Sequence, residues 1–106
     1  MYKRIFSEKR LPSILYHATN KRNLKSILSK GIQTDSDGYV YLMEKPEAWN
    51  DIVFEVRIPD QRKLMDWREV WYDNEGEEFD MDHQYDPNNP YWIYLASIPS
   101  KYIKLV

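Results

Sequence analysis

The sequence predicts an α+β domain with several short strands, one main helix and one short helix. Short runs of β-branched and aromatic residues recur between turn-forming residues, as in Tyr39-Val40-Tyr41-Leu42-Met43 and Ile52-Val53-Phe54-Glu55-Val56-Arg57-Ile58. One stretch, Asn20 to Gly31, instead repeats apolar residues at helical spacing. At 106 residues the chain is expected to form a single domain, 1–106, around one modest core.

In chain order, residues 1–12 are charged, end in Pro12 and read as an arm or edge element. Residues 13–17 form the first strand, with Ile14 and Leu15 as its apolar pair and His17 at its end. Thr19 or Asn20 can cap the following helix, 20–30, by accepting from the first-turn N–H groups. Leu24, Ile27 and Leu28 share one helix face, whereas Lys21, Arg22, Lys25 and Lys30 lie off it. Gly31 suits the positive φ that ends a helix. Gln33 to Gly38 is a polar turn whose glycine also suits positive φ.

Residues 39–43 are the second strand, and Pro46 then suits the first turn of a short helix with Glu47, Ala48 and Trp49. The third strand, 52–58, sets Ile52, Phe54, Val56 and Ile58 on one face against Val53, Glu55 and Arg57. Residues 63–72 read as a strand followed by a helical turn, and 73–90 as a long acidic loop. Tyr91 to Leu95 is a fourth strand. Ile98-Pro99-Ser100 breaks the chain before a last strand, Tyr102 to Val106.

Charge is unevenly placed. The net charge of −2 divides into +7 over residues 1–30 and −8 over residues 69–90. Two solvated faces that keep the domain soluble satisfy this pattern, as does a basic half that meets phosphate beside an acidic half that meets a partner. Tyr, Trp and Phe make up 15% of the chain, more than a small core needs, so some rings should line a pocket or a partner surface.

Several chemistries find no support. The chain lacks cysteine, which removes disulfides and thiolate metal sites. His17 and His83 fit no metal-ligand spacing. The Asp80, Asp82, Asp86 and Asn88 cluster lacks the glycine and glutamate of a calcium loop, so no metal is expected. Glycine-rich phosphate loops and the Gly-x-Ser-x-Gly nucleophile motif are also missing. Without an apolar leader or a bilayer-length run, a soluble cytoplasmic protein is the expectation. His17 remains, at a strand end that leads into a helix start rich in N–H groups.

Three ordered stretches carry a resemblance. Leu15-Tyr16-His17-Ala18-Thr19, the helix end Ile27-Leu28-Ser29-Lys30-Gly31-Ile32, and Gly38-Tyr39-Val40-Tyr41-Leu42 with Pro46-Glu47-Ala48 follow one another. Together with Ile98-Pro99-Ser100-Lys101-Tyr102-Ile103, they resemble the ADP-ribosyltransferase superfamily. The likeness is to small bacterial and phage members and to the RNA 2′-phosphotransferase branch. It covers residues 14–58 and 91–106.

The resemblance implies a split β-sheet that binds NAD as substrate. By analogy His17 hydrogen-bonds a ribose hydroxyl, and the Ala18 backbone pairs with the nicotinamide amide. Tyr41 and Tyr39 wall the nicotinamide ring. Thr19 belongs to the same strand end, and Arg22 or Lys25 faces the pyrophosphate. His17 and Tyr41 are thus the candidate catalytic residues. The implied reaction cleaves the nicotinamide–ribose bond through a cation-like transition state and passes ADP-ribose to a macromolecular acceptor.

Two departures stand out. Alignment on Ile98-Pro99 puts Tyr91 where many members carry a glutamate, leaving Asp86, Glu77 or Glu78 as substitute carboxylates. Tyr16 occupies the place of an arginine in the phosphotransferase branch, which favours ADP-ribosylation of protein or nucleic acid over RNA phosphate transfer. The alternative is a non-catalytic binder of NAD or ADP-ribose, or a phage or toxin-system protein that inhibits a partner protein through the acidic, aromatic stretch 67–92. Nucleic-acid binding through the basic helix is a third possibility, which the net charge disfavours.

Overall fold

The computed structural model describes residues 11–47, 52–69 and 88–106. The described residues form an α+β fold in which six strands make one antiparallel sheet. The strands are β1 (Ile14–Thr19), β2 (Val40–Met43), β3 (Ile52–Arg57), β4 (Leu64–Asp66), β5 (Tyr91–Tyr94) and β6 (Ile103–Leu105). Their order across the sheet is β4-β5-β2-β1-β3-β6. The helix α1 spans Leu24–Lys30.

The joint between the two halves is thin. β1 and β3 pair along their whole length, from Ile14↔Arg57 to Thr19↔Ile52. β2 and β5 likewise pair at four positions. Between β1 and β2, however, the ladder holds a single pair, Tyr16↔Met43. Beyond it the strands part, and the sheet opens between residues 17–19 and 40–42.

Register sorts side chains onto two faces, because residues directly opposite one another project the same way. Leu15, Val40, Leu42, Phe54, Val56, Trp92 and Tyr94 form the main core with Ile27 of α1. Leu15, Phe54 and Val56 are fully buried, each contributing about 1.5–3 kcal/mol of transfer free energy. Met65, Trp67 and Ile93 build a smaller cluster, with Tyr39, Tyr91 and Leu95 packed against it.

The helix departs from its expected form at both ends. Residues 20–23 are not α-helical: Lys21–Asn23 make a 3₁₀ turn, and neither Asn20 nor Asn23 caps through its side chain. Asn23 instead donates from Nδ2 to Thr19 Oγ1 at 2.8 Å. Leu28, expected on the buried stripe, is 48% exposed, because a helix of seven residues meets the sheet only through Leu24 and Ile27. Gly31 does take a positive φ of 82°, but with ψ −173°, an extended region open only to glycine, not the left-handed helical well. A Cβ there would stand 2.0 Å from the Ile98 carbonyl oxygen, since Ile32 and Ile98 exchange two backbone hydrogen bonds at 2.9 Å.

Elsewhere the expected strands form within a residue or two of their predicted limits, and residues 67–69 make the helical turn after β4. Pro46 and Glu47 are not helical, and the rest of that expected short helix, Ala48 and Trp49, lies outside the described residues. So do residues 1–10 of the arm and most of the acidic loop, including Glu77, Glu78, Asp86 and His83.

Candidate functional site

The opening between β1 and β2 is where His17, Ala18, Thr19, Tyr39 and Tyr41 of the sequence-predicted residues gather. His17 is the first residue of β1 past the single Tyr16↔Met43 pair. Its Nδ1 lies 2.9 Å from the backbone oxygen of Tyr41. A carbonyl can only accept, so Nδ1 carries the proton and donates. The side chain thus stands in for a missing ladder bond, and Nε2 of the neutral ring is left as an acceptor. Burial lowers the His17 pKa below the ordinary 6.5, outweighing the upward pull of the Tyr41 carbonyl. The imidazole is therefore neutral at pH 7.

Two cavities flank this bond. One, of about 240 Å³, is lined by Tyr16, His17, Ala18, Tyr41, Met43, Trp67 and Tyr91, with Leu42 behind. The other, of about 340 Å³, lies towards α1 and is more polar. His17, Tyr39 and Tyr41 border it together with Thr19, Asn23, Ser26, Thr34 and Asp35. His17 follows Leu15 on the α1 face, whereas Tyr41 shares the other face with Met43 and Ile93. Only the parting of the strands lets both border the same two cavities.

Tyr41 is 38% exposed, and its ring meets Tyr39 edge-on at 6.3 Å. Its hydroxyl pKa is raised, first by partial burial, then by the nearby charges of Asp35 and Asp37; the Asp35 side chain is also a hydrogen-bond partner that holds the proton. Asp35 is itself fixed. Its Oδ1 accepts from the N–H groups of Asp37 at 2.9 Å and Tyr39 at 3.0 Å, closing a turn in which Gly38 takes φ 85°.

Asp35 is the acid that sequence reasoning missed. It was visible only as the first carboxylate of the polar turn before Tyr39. Tyr91, singled out as the residue at a glutamate's place, lines the smaller cavity opposite Met43. Trp67 joins it edge-on at 5.9 Å. Arg22 and Lys25 are exposed and border neither cavity. Among the described residues no three His, Asp or Glu side chains group as a metal site, and no helix is long and apolar enough to cross a membrane.

A buried frame holds the strand ends. Asn89 is fully buried: its Oδ1 accepts from the Lys45 N–H at 2.8 Å, and its Nδ2 faces the Met43 sulfur at 3.5 Å. Trp92 donates from Nε1 to Glu44 at 2.8 Å. Asp66, 3% exposed, grips Arg68 through both carboxylate oxygens and accepts from its backbone N–H at 2.8 Å, starting the turn that carries Trp67.

Comparison with known proteins finds one significant likeness among curated sequences. The chain is similar to a probable RNA 2′-phosphotransferase. It is 34% identical over 102 residues to a protein of Acetivibrio thermocellus described as a probable RNA 2′-phosphotransferase. The match covers 95% of this chain and 52% of the relative, so the chain spans about half the length of the protein it matches. No protein-family profile matches the chain. The relative is consistent with the phosphotransferase branch, one of the two likenesses named from the sequence.

Proposed function

We propose that residues 1–106 form an ADP-ribosyltransferase-like domain, that the opening between β1 and β2 binds NAD, and that ADP-ribose passes from it to a macromolecular acceptor. One observation carries this reading: His17 and Tyr41, from separate stretches of the resemblance, meet at 2.9 Å where the ladder stops and border both cavities. The likeness to a probable RNA 2′-phosphotransferase supports it, since such enzymes consume NAD. It also makes RNA bearing a 2′-phosphate the first acceptor to try, although Tyr16 favours ADP-ribosylation of protein or nucleic acid over RNA phosphate transfer.

In this reading His17 Nε2 accepts from a ribose hydroxyl, its tautomer fixed by the Tyr41 carbonyl. The Ala18 backbone holds the nicotinamide amide, and Tyr41 and Tyr39 wall the ring. Thr19 and Asn23 face the polar side, where Arg22 stands outside the cavities as a cation for the pyrophosphate. The bond from ribose C1 to the nicotinamide nitrogen breaks, and its electron pair neutralises the ring. An acceptor oxygen supplies the pair for the new bond to C1. Positive charge develops on the sugar between these events, and Asp35, which borders the larger cavity beside the Tyr41 hydroxyl, is the carboxylate assigned to offset it.

Incubation with NAD labelled in its adenylate, and with RNA carrying or lacking a 2′-phosphate, tests the reading. Label on RNA, or free nicotinamide that depends on His17, supports it. If calorimetry detects neither NAD nor ADP-ribose binding, the assignment fails. A second reading, a non-catalytic binder of NAD or ADP-ribose, is favoured by Tyr91 at the glutamate's place; binding without nicotinamide release would select it.

A further inference from the structure

The β6 edge of the sheet carries cations for which the dinucleotide reading has no use. Residues 91–106 hold Lys101 and Lys104 and no acid. The 3₁₀ turn Ser100–Tyr102 leads into β6, which pairs with β3 from Phe54↔Leu105 to Val56↔Ile103. Arg57 stands one residue further along β3, so the ladder brings it beside that turn. Its Nη2 donates to the Lys101 carbonyl oxygen at 2.7 Å. Its guanidinium carbon lies 5.7 Å from the centroid of the Tyr102 ring, and Lys101 Nζ lies 5.4 Å from the same centroid. Arg57, Lys101 and Lys104 are all exposed.

Two like charges held beside one ring repel each other, and a carboxylate is the ordinary counterweight. Among the described residues, no carboxylate reaches ion-pair distance of Arg57, Lys101 or Lys104. Glu55, opposite Lys104 in the ladder, is the one acid on β3. A ring and a carbonyl thus fix the cations in place without neutralising them. Three such cations on one edge suit a chain of phosphates better than a single compact anion, which could meet only part of the group.

Resting on the reading of RNA as acceptor, we propose that the β6 edge docks the phosphate backbone of that RNA through Arg57, Lys101 and Lys104. His17 pairs with Phe54, three residues before Arg57, so the surface starts about 10 Å along β3 from the level of His17. A single strand can lie on this edge and still present one nucleotide at the opening. Contacts of this kind position a strand and carry no sequence information.

The test mixes the whole chain with a fluorescein-labelled single-stranded oligoadenylate that lacks a 2′-phosphate. Anisotropy is followed over a range of salt, with NAD calorimetry alongside. Contacts to three phosphates predict a log–log salt slope of about −2. Arg57→Gln keeps an amide donor for the Lys101 carbonyl but removes the charge. Combined with Lys101→Gln, it should lower RNA affinity about tenfold at low salt, bring the slope to about −0.7 and leave NAD affinity unchanged. Lys63→Gln removes one exposed charge at the opposite edge of the sheet, just before β4, and should change neither. A wild type that binds NAD but no RNA overturns the surface and leaves the dinucleotide reading standing. RNA affinity that survives in the double variant, or falls as much in Lys63→Gln as in Lys101→Gln, also overturns it. So does capture by phosphatidylserine vesicles while RNA stays free. RNA bound as described, with neither NAD nor ADP-ribose bound, upholds the surface and removes the dinucleotide reading.

Discussion

The Nδ1 of His17 and the backbone oxygen of Tyr41 stand 2.9 Å apart at the point where β1 and β2 separate, so a side chain bridges what main chain bridges elsewhere in the sheet. This relationship fixes the tautomer, leaves Nε2 as the ring's acceptor and ties the candidate site to the strand geometry. It also separates two roles that substitutions can tell apart. His17→Asn keeps a donor near the Tyr41 carbonyl but withdraws the Nε2 acceptor, whereas His17→Ala removes both. ADP-ribose affinity should fall by about tenfold in each, the worth of one good hydrogen bond, while the urea midpoint should drop clearly only in His17→Ala. Calorimetry beside urea unfolding checks the pair; unchanged affinity in both variants would contradict the assigned role.

The lowered His17 pKa has a consequence for stability. The unfolded chain takes up the His17 proton near pH 6.5, and the folded chain only at lower pH. As pH falls through 6.5 towards the folded value, the unfolded state binds more protons and folding weakens; above 6.5 this contribution is complete and flat. Urea midpoints at pH 7.5 and 5.5 should therefore differ more in the wild type than in His17→Gln, which cannot titrate. Equal pH sensitivity in both proteins would contradict the burial assigned to this ring.

Gly31 should tolerate no side chain. The added methyl of Gly31→Ala meets the Ile98 carbonyl at 2.0 Å on a backbone with φ 82°, and both partners of the collision are main chain. Strain of about 1–3 kcal/mol from the dihedral alone is expected. The overlap adds to it by pushing α1 from the Ile32–Ile98 bridge. Gly38→Ala shares the positive φ but has open space, so it should cost only the dihedral part. Thermal unfolding of the two variants side by side would show whether the gap between them exists.

Two Asp-x-Arg pairs of the same design should respond unequally. Asp60 with Arg62 and Asp66 with Arg68 each combine a backbone cap with a two-toothed ion pair. The first lies at the surface, where water screens it, and Asp60→Ala should cost little beyond its lost cap. The second is buried on its acid side, and Asp66→Ala should cost about 3 kcal/mol, the low end for a broken buried pair because Arg68 keeps some solvent. Similar losses in chemical denaturation would show that burial is not what separates them.

Local patterns were the legible part of this molecule. The alternation of residues 52–58 announces β3, the β-branched and aromatic run 39–43 announces β2, and glycine at 31 and 38 marks two positive-φ turns, because each signal sits within a few neighbouring residues. The meeting of His17 with Tyr41 was inferred from resemblance and is reached by strands 24 residues apart. What stayed hidden depends on longer pairings. Tyr91 reaches the cavity through its register with Met43, and Trp67 through a turn started by a buried Asp66; neither leaves a periodic trace. Asp35 escaped because a carboxylate that closes its own turn looks like ordinary loop chemistry. Leu28 misled because helical spacing defines a stripe without saying how much of it the sheet can cover.

The lone Tyr16↔Met43 rung leaves a sheet that is two three-stranded blades, β4-β5-β2 and β1-β3-β6, sharing a hinge pin. A molecule wedged beside that pin touches both blades at once and sets the angle between them. Whatever occupies the gap therefore acts as a further structural element, and its presence should slow exchange of the β1 and β2 amide protons more than those of the well-laddered β3.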